Sequence, residues 1–146
     1  MTSEQESAAS PGEGVQEAAV PHSLRVLIAE DDRDSAASLE ALVTDEGHQT
    51  RCVYRGRAVL GAVHDFNPHV VLLDIGMPGI NGYDIARILR KTFGSRPTLI
   101  AVTAWTKSAD KLMAKAAGFD YHFGKPYDPP TLLAILRDLA TRPKPV

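Results

Sequence analysis

From Leu24 onward the apolar residues alternate between two spacings. Short runs rich in β-branched residues read as strands, at Leu24–Ala29 (LRVLIA), Thr50–Tyr54, Val70–Asp74 (VVLLD), Thr98–Thr103 (TLIAVT) and Tyr121–Phe123. The third and fourth runs are almost wholly apolar, as strands covered on both faces are. Between them, apolar residues three and four apart predict five helices. The first, Asp34–Asp45, carries Ala37, Leu39, Leu42 and Val43, with Asp34 placed as its cap and Gly47 as its stop. Arg57–Phe66 ends before Pro68, and Tyr83–Phe93 turns Ile85, Ile88 and Leu89 to one side before Gly94. Lys107–Ala117 closes at Gly118. The last helix is capped by Asp128, has Pro129 in its first turn, and buries Leu132, Leu133, Ile135, Leu136 and Leu139.

Strands alternating with helical crossovers predict an α/β domain with a parallel sheet. Right-handed connections leave few topologies, and the expected one is a (βα)5, flavodoxin-like sheet in the order 2-1-3-4-5 with helices on both faces. A chain of 146 residues holds one such domain, here residues 24–141, with short tails at 1–23 and 142–146. The first tail is rich in Ser, Ala, Glu and Gly and lacks Lys and Arg, so it is expected to be disordered. It has neither the basic start nor the apolar stretch of a secretory signal, and no later run approaches a membrane span. Cys52 is the single cysteine, which excludes an intrachain disulfide and fits the cytoplasm. A formal charge of −2 provides no global field for nucleic acid or an anionic membrane, and no helix-turn-helix or basic region is visible. Neither class of partner is expected.

The chemistry concentrates at the strand ends. In open α/β sheets functional groups gather beyond the carboxyl ends of the strands near the switch in strand order. The first strand runs into Glu30, Asp31 and Asp32, the third ends in Asp74, the fourth in Thr103, and the fifth leads to Lys125. Singly these have plain explanations: an Asp after a strand caps a helix or makes a turn, a Lys is solvated, and a Thr favours strands. Together they bring three or four carboxylates to one pocket, where like charges cannot all stay ionised without a cation. Oxygen ligands of this kind suit magnesium, or manganese in its place, and no Cys or His stands at a spacing that favours zinc. Asp74 is then the candidate nucleophile toward phosphorus. Lys125 and the cation would neutralise charge on the phosphoryl oxygens, and the Thr103 hydroxyl would donate to one of them.

These segments resemble a known family. VLIAEDD at Val26–Asp32, VVLLDIGMPGINGYD at Val70–Asp84, VTAW at Val102–Trp105 and GKP at Gly124–Pro126 look like the motifs of bacterial two-component receiver domains, in their order and spacing. The resemblance covers about Arg25 to Leu139. It implies that Asp74 accepts a phosphoryl group from a sensor histidine kinase or a histidine phosphotransfer protein. Asp31 would be the direct carboxylate ligand of Mg²⁺, Glu30 would act through a metal-bound water, and the Gly76 carbonyl would supply another ligand. Thr103 and Lys125 would contact the phosphoryl group, and the Lys125–Pro126 peptide would be cis. The domain would then be a signalling module acting through protein contact, without turnover chemistry of its own.

The sequence departs from that family at three places. His122 stands where receivers often place Tyr or Phe, and reads as a partly exposed histidine, with Tyr121 and Phe123 on the opposite face as core or crevice residues. Gly76 and Trp105 replace polar residues beside the phosphoacceptor. Lys107, Lys111 and Lys115, four apart on the fourth helix, form a basic stripe that reads either as a face for an acidic partner or, more often for such a pattern, as a solvated face. Two other functions remain open at this level. A flavodoxin-like small-molecule binder would need a Gly/Ser/Thr-rich phosphate loop where EDDRD stands, and a pseudo-receiver would never accept phosphate.

Overall fold

The computed structural model of the chain describes residues 23–141. The expected tail at 1–23 therefore lies almost wholly, and that at 142–146 wholly, outside the described residues. Five strands, β1 (Arg25–Ala29), β2 (Gln49–Val53), β3 (Val70–Leu73), β4 (Thr98–Thr103) and β5 (Tyr121–Gly124), alternate with five helices. The helices are α1 (Arg33–Asp45), α2 (Val59–Phe66), α3 (Gly82–Phe93), α4 (Ser108–Ala117) and α5 (Pro129–Thr141). All paired strands are parallel, and their order is β2-β1-β3-β4-β5, as the alternation predicts. No described helix is long and apolar enough to cross a membrane.

Each central strand splits its side chains between two cores, because successive residues point to opposite faces. Val26, Ile28, Leu72 and Ile100 pack with Leu39 and Val43 of α1 and Leu132 and Leu136 of α5. Leu27, Ala29, Leu73 and Leu99 pack on the other side with Val63 of α2, Ile85 and Leu89 of α3, and Ala114 of α4. Burying one such Leu, Ile or Val contributes roughly 1.5–3 kcal/mol before entropy is counted. The sheet is thus the rigid base on which the loops at its carboxyl edge are mounted.

Several local expectations shift. β2 begins and ends one residue earlier than the apolar pattern indicated, and β3 stops at Leu73, leaving Asp74 in the following loop. α1 buries Ala36, Leu39 and Val43 while Ala37 is exposed. Two helix faces one residue apart satisfy that apolar spacing, and packing on β1 and β2 selects between them. Ile88 of α3 is 40 % exposed. The cap of α1 is Asp32, not Asp34: its extended backbone lets the carboxylate accept the Asp34 N–H at 3.2 Å and the Ser35 hydroxyl at 2.8 Å. The expected helix from Arg57 opens as a 3-10 turn, Gly56–Ala58. Lys125–Pro126 is cis as the resemblance implied, and Arg96–Pro97 is also cis.

Three contacts set the frame of the carboxyl edge and its opposite end. Gly82, the first residue of α3, lies so near the preceding loop that a Cβ there would sit 2.5 Å from Ile75 Cα. At the other end, β1 is anchored by two histidine rings. His48 Nδ1 accepts the Leu24 N–H at 3.1 Å, and His69 Nδ1 accepts the Arg25 N–H at 2.9 Å.

Candidate functional site

β1 and β3 are neighbours with Ala29 opposite Leu73, so the residues that follow them emerge side by side. The Asp74 N–H donates to the Ala29 carbonyl at 3.0 Å, which extends the ladder by one bond and fixes where the Asp74 side chain begins. One carboxylate oxygen from each of Glu30, Asp31 and Asp74 then lies within 4.8 Å of the others. Lys125 arrives from the far end of β5, where its N–H donates to the Thr103 carbonyl at 2.8 Å. Its ammonium lies 2.5 Å from Glu30 Oε1 and 3.2 Å from Asp74 Oδ2.

The oxygens are unequally engaged. Glu30, 5 % exposed, also accepts the Asp32 N–H at 3.1 Å on its second oxygen. Asp74 Oδ1 accepts the Gly76 N–H at 3.0 Å. The exposed Asp31 carboxylate takes part in no hydrogen bond or ion pair among the described residues. Burial pushes the Glu30 pKa up and the Asp74 charge adds to this, while hydrogen bonds from Lys125 and the Asp32 N–H offset only part of the rise. Burial by itself would favour neutral Lys125, but Glu30 and Asp74 outweigh it and raise its pKa, so the ammonium stays charged. One ammonium facing three carboxylates leaves a site short of positive charge. An oxygen-rich, under-neutralised cluster fits a hard divalent cation such as magnesium.

Thr103, the last residue of β4, is fully buried and its Oγ1 accepts the Trp105 N–H at 3.2 Å. Residues 26–137 match the family described as the response regulator receiver domain. The chain belongs to this family. DNA-binding response regulator MtrA of Mycobacterium tuberculosis is 34 % identical over 113 residues, covering 77 % of this chain and 49 % of that protein. Transcriptional regulatory protein TctD of Salmonella typhimurium is 34 % identical over 119 residues, covering 82 % and 53 %. The chain spans about half the length of these curated relatives. The receiver domain of the Francisella response regulator 1452 superposes with a TM-score of 0.77 at 26 % identity, covering 83 % of this chain and 99 % of that one.

Within this receiver domain, four of the residues expected from the sequence converge: Lys125 pairs with Glu30 and Asp74, and the Asp31 carboxylate lies within 4.8 Å of both acids. Gly76 adjoins them through its bond to Asp74, and Thr103 ends the neighbouring strand. Asp32 does not join the cluster; it caps α1. Tyr121 and Phe123 pack against the α1 and α5 side of the sheet, as expected. His122 is partly exposed, as expected, but both of its ring nitrogens are buried and have no hydrogen-bond partner. Tyr83 reads in the sequence only as the start of a helix. Its ring lies tilted against Trp105 with centroids 6.1 Å apart, and the signal for its placement is Asn81, whose side-chain Oδ1 caps α3 by accepting the Tyr83 N–H at 2.7 Å.

Proposed function

We propose that this receiver domain accepts a phosphoryl group on Asp74 in a reaction that needs Mg²⁺ or Mn²⁺, with a phosphohistidine on a sensor kinase or phosphotransfer protein as donor. Asp31 and Asp74 would hold the ion directly, Glu30 through water, and the Gly76 carbonyl would complete the protein's share. Bound there, the ion would supply positive charge to the oxygens of the transferred group. The Asp74 carboxylate forms the new O–P bond as the donor's P–N bond breaks, and the departing imidazole keeps the electron pair. The Gly76 N–H and Lys125 hold the two Asp74 oxygens in a fixed orientation, which is most of what phosphoryl transfer asks of a protein. Lys125 then follows the charge from the carboxylate to the phosphoryl group, and the Thr103 hydroxyl donates to a phosphoryl oxygen.

The observation that carries this reading is the convergence of Glu30, Asp31 and Asp74 within 4.8 Å beside the Lys125 ammonium. An anionic small molecule such as a flavin phosphate would meet the same carboxylates and be repelled. The added charge is proposed to draw Thr103 inward and to repack the face formed by α4, β5 and α5, altering its affinity for a protein partner. Incubation with acetyl phosphate and Mg²⁺ should add one phosphoryl group, measured by intact mass. Chelation with EDTA and Asp74→Asn should each abolish the gain. Labelling that persists in Asp74→Asn would refute the assignment.

A further inference from the structure

Two influences push the Arg33 side chain toward the acid run. Arg33 is the first residue of α1, beside the positive end of the helix, and Asp31, Asp32 and Asp34 lie within two positions of it in the chain. Asp32 already engages both carboxylate oxygens in the cap, with the Asp34 N–H and the Ser35 hydroxyl, whereas the exposed Asp31 carboxylate is open. Yet the Arg33 side chain forms no hydrogen bond or ion pair among the described residues. Its guanidinium lies instead over the Tyr54 ring, 3.9 Å from the centroid. The fold brings that ring there. Ala29 is opposite Val53, and the Glu30 N–H donates to the Val53 carbonyl at 3.1 Å, so Tyr54 leaves β2 alongside the acids that leave β1. Tyr54 is half-buried, which steadies its ring as a platform.

We propose that Tyr54 is a positioning residue for the metal site: its ring holds the Arg33 guanidinium off Asp31 and so leaves that carboxylate open to the divalent cation. This rests on the reading that Asp31 and Asp74 hold the ion. Lys125 already pairs with Glu30 and Asp74. A second cationic side chain drawn onto Asp31 would neutralise the open acid of the cluster and set a like charge beside the ion. An exposed ion pair and an exposed cation–π contact are of similar strength. The stack prevails because the ring also covers the apolar stem of the arginine, while an ion pair at the surface is screened by salt.

The test titrates the full chain with Mn²⁺ and reads the free ion by electron paramagnetic resonance. Tyr54→Leu, checked for folding by circular dichroism, should bind Mn²⁺ about fivefold more weakly, the weight of an exposed ion pair formed on Asp31. Tyr54→Phe, which keeps the ring face, should stay within about twofold of the parent. Adding Arg33→Ala to Tyr54→Leu should return the affinity to the parent's or above it, because no guanidinium is left to occupy Asp31. Parent-like affinity in Tyr54→Leu, or a weakening that survives Arg33→Ala, overturns the proposal. A parent without saturable Mn²⁺ binding, or binding undiminished in Asp31→Asn, overturns the metal reading instead. A second readout needs no variant. In the parent's proton spectrum the Arg33 δ-methylene signals should be shifted upfield by the Tyr54 ring current, and unshifted signals overturn the stack on which the proposal stands.

Discussion

Replacing Lys125 with methionine keeps the aliphatic stem and removes the ammonium that neighbours both Glu30 and Asp74. In metal-free protein, Glu30 then faces Asp31 and Asp74 in a buried position without a counter-charge. The least costly response is to hold Glu30 protonated. Its ordinary pKa is 4.5, so keeping it protonated at about pH 7 costs at most about 3.4 kcal/mol, at 1.36 kcal/mol per pH unit. The parent already bears part of that cost, since its Glu30 pKa is raised, and the 29 % exposure of the lysine side chain admits solvent screening. The expected loss of stability is therefore about 2 kcal/mol near neutrality. The sign with pH follows from the direction of the shift. A carboxyl whose folded pKa is raised carries no penalty below its unfolded value and an increasing one as pH climbs above it, until the folded value is passed. Lys125, with its own pKa raised above 10.5, stays charged throughout this range. Urea unfolding in EDTA should thus show Lys125→Met close to the parent at about pH 4 and about 2 kcal/mol weaker at about pH 7. A deficit of the same size at both pH values, or a larger one in acid, would refute this account of the site's electrostatics.

Two further expectations concern the frame. His48→Ala removes the acceptor for the buried Leu24 N–H and should cost about 1–3 kcal/mol. Burial lowers the His48 pKa from 6.5, so the neutral ring's contribution is complete above that value and is lost as pH falls below it. Thermal melts of parent and variant should converge in acid, and a gap that stays constant from neutral to acid pH would count against it. Gly82→Ala must force apart backbone that would otherwise approach a Cβ to 2.5 Å, with an expected loss of about 1–3 kcal/mol. Because the displaced loop follows Asp74, acetyl phosphate labelling should also slow; a parent-like melt would show that the close approach is easily relieved.

Much of the site was legible before any coordinates. A parallel sheet places every strand's carboxyl end on one edge, so recognising the alternation of strands and helices already sends Glu30, Asp31, Asp74, Thr103 and Lys125 to the same rim. The choice among neighbouring residues was less visible. Asp32 and Asp34 are both plausible caps by composition, and only the backbone angles at Asp32 decide between them. The burial of the His122 ring nitrogens had no signal in the chain, because β5 is an edge strand whose cover depends on how α4 lies across it.

Hydrophobic periodicity, glycine and proline stops, and the chemical types at the strand ends belong to the sequence by itself, because each depends on residues within a few positions of one another. Charge balance and shielding belong to the fold. Glu30 and Lys125 are 95 residues apart in the chain, and a side chain at Gly76 would meet Trp105 of a different strand-end loop. Such distances are set by strand order, helix placement and side-chain packing acting at once. No local pattern encodes them.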